Sequence, residues 1–197
     1  MSSDMKPVAE TAAAVHLRVD DTIDDLLEHP AFAGFARLLL PWDDRRVETT
    51  MKLKEIGSLL PYHSHVKPAV VVSSLNRMID DAAAGRTVFY DVYTAAEKEA
   101  EPSRRNTGLF FFRGKPGAPF AVIAPGGGFA YVASVHEGFP FADEISKRGF
   151  NAFVQLIDVR LTAAISRCVD RVRALSGCAN PDPKEHHWGR RKLARDR

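Results

Sequence analysis

The chain has 197 residues, of which 45% are hydrophobic and 26% charged, a balance that suits one globular domain with a sizeable core and excludes disorder throughout. Its formal charge of +2 hides an asymmetry: residues 184–197, KEHHWGRRKLARDR, carry six Lys/Arg against two Asp/Glu, and the rest of the chain has 21 positive against 23 negative side chains. A short basic tail without interleaved aromatic residues reads as a solvated segment, so no nucleic-acid partner is expected. Cys168 and Cys178 lack CxxC spacing and read as free thiols in a reducing compartment. Residues 1–21 show no basic region leading into an apolar stretch, and no window approaches a membrane span. These features predict a cytoplasmic protein with no membrane partner.

In chain order, Ile23, Leu26 and Leu27 form a short helical stripe within a peripheral segment. HPAFAGFARLLLP then places Phe32, Phe35, Leu38 and Leu39 at helical spacing, which predicts a packing helix between Pro30 and Pro41. SSLNRMIDDAAAG predicts a helix with a serine cap, a stripe of Leu75, Met78 and Ile79, and a stop at Gly85. RTVFYDVYT alternates as an edge strand, AAEKEAEPSRRNTG reads as a charged loop, and LFFFRG and FAVIAPG read as a hairpin or neighbouring strands. HEGFPFADEISKRG, with Phe141, Ile145 and a Gly149 stop, predicts a helix, and FNAFVQLI predicts a strand buried on both faces. Strand, glycine turn, helix and strand make a βαβ crossover. Leu161, Ala164, Ile165, Cys168, Val172 and Leu175 lie on one face of a second crossover helix. The fold class is therefore α/β. The helical flank covers residues 1–67, the core 68–178 and the basic tail 179–197.

Three consecutive glycines stand in IAPGGGFAYV, residues 123–132, directly after a predicted strand. Ligands of α/β sheets bind outside the carboxyl ends of strands, and glycines there turn amide N–H groups outward with no side chain in the way. Such amides suit an anion, either a bound phosphate or the oxyanion formed when an ester carbonyl is attacked. GGGFAYVAS has neither the third glycine of GxGxxG nor the lysine of GxxxxGK, which disfavours a nucleotide. A plain structural turn is the remaining alternative.

Residues 68–154, and above all NTGLFFFRGKPGAPFAVIAPGGGFAYVASVHEGFPFADEISKRGFNAFV, resemble α/β-hydrolases of the esterase and lipase kind. The resemblance rests on Pro125, Gly126, Gly127, Gly128 and Phe129, which match a variant of the HGGG motif with Pro in place of His. It implies a partial α/β-hydrolase sheet and hydrolysis of carboxylic esters or related acyl compounds, with no metal and no organic cofactor. Gly126, Gly127, Gly128 and Phe129 would form the oxyanion loop, where one donor is typically worth about 3 kcal/mol of transition-state stabilisation.

The same chemistry needs a nucleophile on a GxSxG elbow, then an acid, then a histidine. No GxSxG occurs in the sequence. Aligning Trp188 and Gly189 with the family's WGxSAGA puts Arg191 at the nucleophile and Leu193 at the second glycine, and neither can serve. The tail is accordingly expected to reflect a short deletion, a change of reading frame or an unrelated extension. His136, just after the glycine loop, is expected to cap the following helix together with Glu137, the alternative being that it lines the substrate pocket. His63 and His65 are expected to lie in an ordinary loop, and Glu185, His186 and His187 in the solvated tail, since neither group has metal-ligand spacing. Ser134 and Ser146 are the serines nearest the glycine loop. The expectation for this chain is thus a hydrolase-like protein without its nucleophile. The alternative is a hydrolase-derived binding protein or a truncated product. An acyl ester is its expected small-molecule partner, and an unpaired edge or an uncovered face of the strand around Phe153 its expected route to self-association.

Overall fold

The computed structural model describes residues 14–41, 46–60, 65–127, 131–156 and 162–176. Helix α1 (Ile23–Leu27) follows the stripe Ile23, Leu26 and Leu27, and Thr22 starts it with a capping box: its hydroxyl accepts from the Asp25 amide at 3.1 Å while Asp25 accepts from the Thr22 amide at 2.7 Å. The helix expected between Pro30 and Pro41 is instead two 3₁₀ turns, Pro30–Phe32 and Ala36–Leu38. Gly34, at φ 88°, lies between them in the left-handed region and interrupts the helix. Phe32, Leu38 and Leu39 are buried all the same. Helix α2 (Pro68–Ala83) starts five residues before the expected serine cap, because Pro68 supplies a preset φ and lacks the N–H a first turn cannot use. Ser73 and Ser74 are therefore interior, and the Ser74 hydroxyl donates back to the Val70 carbonyl at 2.9 Å. Gly85, at φ 71°, ends this region as the sequence predicts.

Strands β1 (Phe89–Asp91), β2 (Gly108–Phe112), β3 (Phe120–Ile123) and β4 (Asn151–Leu156) form one mixed sheet in the order β1-β2-β4-β3. β2 is antiparallel to both β1 and β4, and β3 runs parallel to β4. The expected pairing of LFFFRG with FAVIAPG is corrected: β4 lies between them, with Phe153 opposite Phe111 on one side and Val122 on the other. The two-sided burial of FNAFVQLI has that placement as its cause, since a central strand has neighbours along both edges and layers on both faces. The unpaired edge expected around Phe153 is therefore corrected too. Among the described residues β3 and β1 are the edges, and Val122 of β3 is 38% exposed. The charged stretch expected as a loop contains helix α3 (Ala95–Ala100), started by a second capping box in which Thr94 and Glu97 bond reciprocally at 2.9 and 3.3 Å.

Helix α4 (Phe139–Lys147) joins β3 to β4 as the expected crossover, and α5 (Thr162–Ser176) follows β4. On α4 the buried residues are Phe139, Ala142, Asp143 and Ser146, and Phe141 is 62% exposed, contrary to its expected place on the packing face. The period of two along each strand sorts side chains between two layers. Phe89, Phe110, Phe112, Ile123, Ala152, Val154 and Leu156 join one continuous core with residues of the flank, α2 and α4. Tyr90, Leu109, Phe111, Phe120 and Phe153 face Cys168, Val172 and Leu175 of α5. The flank thus shares its core with the sheet. Among the described residues no helix is long and apolar enough to cross a membrane.

Candidate functional site at the glycine loop

β3 ends at Ile123, and the glycine loop opens between it and the turn Ser134–Gly138 that leads into α4. This is the carboxyl end of the parallel pair β3 and β4, the location at which α/β sheets bind ligands. Gly126 and Gly127 are outside the strand ladder. The neck of the loop is closed by backbone bonds: the Ala133 amide donates to the Gly126 carbonyl at 3.0 Å and the Tyr131 amide to the Gly127 carbonyl at 3.3 Å. The Gly126 amide donates to Glu137 Oε2 at 2.9 Å. Of the residues expected to form the oxyanion loop, Gly126 and Gly127 have these partners, and Gly128 and Phe129 lie outside the described residues.

Gly127 has a packing reason to be glycine. A Cβ there would run into the carbonyl oxygen of Tyr131, a backbone atom that cannot rotate aside. Gly138, which carried no weight in the sequence reading, has a comparable role. A Cβ on it would strike Val154 of β4 and lie 3.0 Å from Pro125 Cγ, so its absence lets the helix start settle onto the strand.

Histidines and serines near the loop fall differently from expectation. His136 is buried, and its Nε2 lies 2.8 Å from the Ile56 carbonyl oxygen. A carbonyl only accepts, so Nε2 carries the proton, and the ring ties the glycine-loop region to the N-terminal flank instead of capping α4. Glu137 contacts Gly126. Ser134 is 0% exposed and its hydroxyl has no hydrogen-bond partner among the described residues. Ser146 is buried and donates to the Asp143 carbonyl at 2.8 Å. Neither has the exposure or the adjacent base of an activated nucleophile. His63, the residues aligned with the elbow (Trp188, Gly189, Arg191 and Leu193), Glu185, His186, His187 and Cys178 lie outside the described residues. Among the described residues no group of three or more His, Cys, Asp or Glu side chains is placed to hold a metal ion.

Three clefts among the described residues lie away from the loop. One of about 860 Å³ is lined by Val15, Leu17, Asp25, His29 and Ile79 beside the start of the described chain. One of about 500 Å³ lies where His16 and Asp80 meet Asp143 and Lys147, and a third of about 220 Å³ is within the flank. Two carboxylates of the first cleft are engaged in local capping, Asp21 on Arg18 and Asp25 on Thr22, whereas the glycine loop stands at a strand's carboxyl end, where α/β sheets bind ligands. No protein-family model, curated protein or solved structure matches this chain.

Proposed function

We propose that the chain is an α/β-hydrolase-like protein whose glycine loop receives the oxyanion of a carboxylic ester or related acyl compound, and that it lacks the nucleophile for turnover. One observation carries the reading: the Pro-Gly-Gly-Gly loop connects the third strand to a crossover helix, the connection from which ester hydrolases of this architecture take an oxyanion-hole amide. The absence of GxSxG and the sealed environments of Ser134 and Ser146 support the second half. A free, buried Cys168 fits a cytoplasmic location. Self-association of two copies along β3 belongs to the same proposal, supported by an edge strand, FAVI, without charge or proline.

The test is pre-steady-state hydrolysis of 4-nitrophenyl acetate, which needs little binding and carries a good leaving group. Without a nucleophile the enhancement over water is at best about 10³- to 10⁴-fold, and the expected trace is linear from the first millisecond. A burst of nitrophenolate stoichiometric with protein reveals an acyl-enzyme and overturns the proposal. Gly127→Val is unsuitable as the control for loop involvement, because the valine collides with the Tyr131 backbone and disturbs folding and function together.

A further inference from the structure

Gly126, Ala133 and Glu137 form a closed circuit of three hydrogen bonds. The Gly126 amide donates to Glu137 Oε2 at 2.9 Å, the Glu137 amide donates to the Ala133 carbonyl at 2.8 Å, and the Ala133 amide donates to the Gly126 carbonyl at 3.0 Å. Both backbone groups of Gly126 are thereby committed within the protein, even though the residue itself is exposed. Its lack of a side chain is what admits the carboxylate, since a Cβ would lie 2.7 Å from Oε2. A bond from an amide to a charged carboxylate is stronger than one between neutral groups. Glu137 also sits in the turn just before α4, where the helix dipole favours a negative charge.

We infer that Glu137 is a positioning residue for the glycine loop: it holds the Gly126 amide inward, so Gly126 shapes the loop and the donors available to an external oxyanion begin at Gly127. The latch follows from geometry, and its service to an oxyanion rests on the function proposed above. A carboxylate on a loop amide has a competing meaning, that Glu137 occupies the ligand's own place and leaves when the ligand arrives. The two differ in what Gly126 does when an anion binds. A positioning residue keeps its bond, and a stand-in gives it up.

Amide hydrogen exchange by NMR on the full chain separates these outcomes, with phenylphosphonate as a tetrahedral oxyanion probe. In the wild type the Gly126 amide should be protected, and Glu137→Ala should accelerate its exchange at least about tenfold. Glu137→Gln, which keeps an acceptor oxygen, should restore most of the protection. Unchanged exchange at Val154 in β4 shows that both variants remain folded. Equal exchange of Gly126 in wild type and Glu137→Ala overturns the latch, as does failure of Glu137→Gln to restore protection in a folded protein. Phenylphosphonate should shift the Gly127 resonance and leave Gly126 protected. Loss of Gly126 protection on adding the probe shows Glu137 to be a displaced stand-in and also overturns the inference. If the probe binds nowhere on the loop, the proposed function fails while the exchange data still decide the latch.

Discussion

One face of the sheet, carrying Phe110, Phe112, Ala152, Val154 and Leu156, is sealed by the flank, α2 and α4, while the other, carrying Leu109, Phe111 and Phe153, is covered among the described residues by α5. On the first face a single ring meets partners from three separate segments: Phe110 lies 6.1 Å from Phe35, 5.0 Å from Phe89 and 4.8 Å from Phe139, centroid to centroid. On the second, Phe111 stacks on Phe153 at 4.3 Å, and guanidinium groups complete the cover. Arg113 lies over Phe111 at 4.5 Å and Arg171 over Tyr90 at 5.7 Å, and just past the end of β1 Arg104 and Arg167 lie over Tyr93 at 5.1 and 5.0 Å. A face closed by hydrocarbon from distant segments must open as a whole. A face closed by one helix and arginine planes can open alone, at a lower free energy than global unfolding.

The largest effect should come from breaking the thick face. Phe110→Ala removes a fully buried ring at the junction of the flank, sheet and α4, and should cost about 3–5 kcal/mol of global stability in urea unfolding followed by circular dichroism. A loss under about 1 kcal/mol would show that the flank is not part of the cooperative unit. Val172→Ala on the thin face deletes two buried carbons of α5 and should cost about 1.5 kcal/mol. Its signature is local, with faster amide exchange in α5 and unchanged exchange in β2 and β4. Equal acceleration in the sheet would erase the distinction between the faces.

Cys168 sharpens the comparison with the smallest perturbation. Burial between α5, on which it stands, and the sheet pushes its thiol up to about 11, from 9.0 for a free thiol. The folded value lies above the unfolded one, so the protonated thiol's contribution to stability is complete below pH 9 and is lost as the pH rises towards 11. In a Cys178→Ser background at pH 8, labelling by an aromatic disulfide should be far slower than in denaturant and should accelerate in Val172→Ala. Labelling as fast as in the unfolded chain would mean that α5 does not shield the sheet.

Much of this arrangement is legible in the residues. Alternation in LFFF and NAFVQL sorts side chains to the two faces, and Gly85 and Gly149, at φ 71° and 93°, lie at the ends of their helices. The hairpin expectation failed because it trusted adjacency in sequence, which holds for roughly two-thirds of consecutive strands. The two-sided apolar character of β4 already identified the strand that belongs in the middle. Helix α3 has no buried residue, so its only sign was the Thr94-to-Glu97 spacing of a capping box. At the candidate site the place of Gly126 and Gly127 just after β3 was readable. Their partners were not: Glu137 is eleven residues from Gly126 and reaches it through space, and the backbone contact of Gly127 with Tyr131 leaves no mark in composition.

The insertion of β4 between β2 and β3 sets the order of events as the chain is made. β2 and β3 are synthesised by residue 123, yet each must wait for residues 151–156 before it gains the neighbour that joins them. Until then β2 can pair with β1 alone, and β3 has no strand at all, leaving Phe111, Phe120 and Val122 without the ladder that later holds them. At synthesis rates of about 5–20 residues per second the interval lasts on the order of seconds, much longer than the microseconds in which a hairpin closes. Nascent chains stalled between residues 125 and 150 should therefore be the species most dependent on chaperones, and release past β4 should end that dependence.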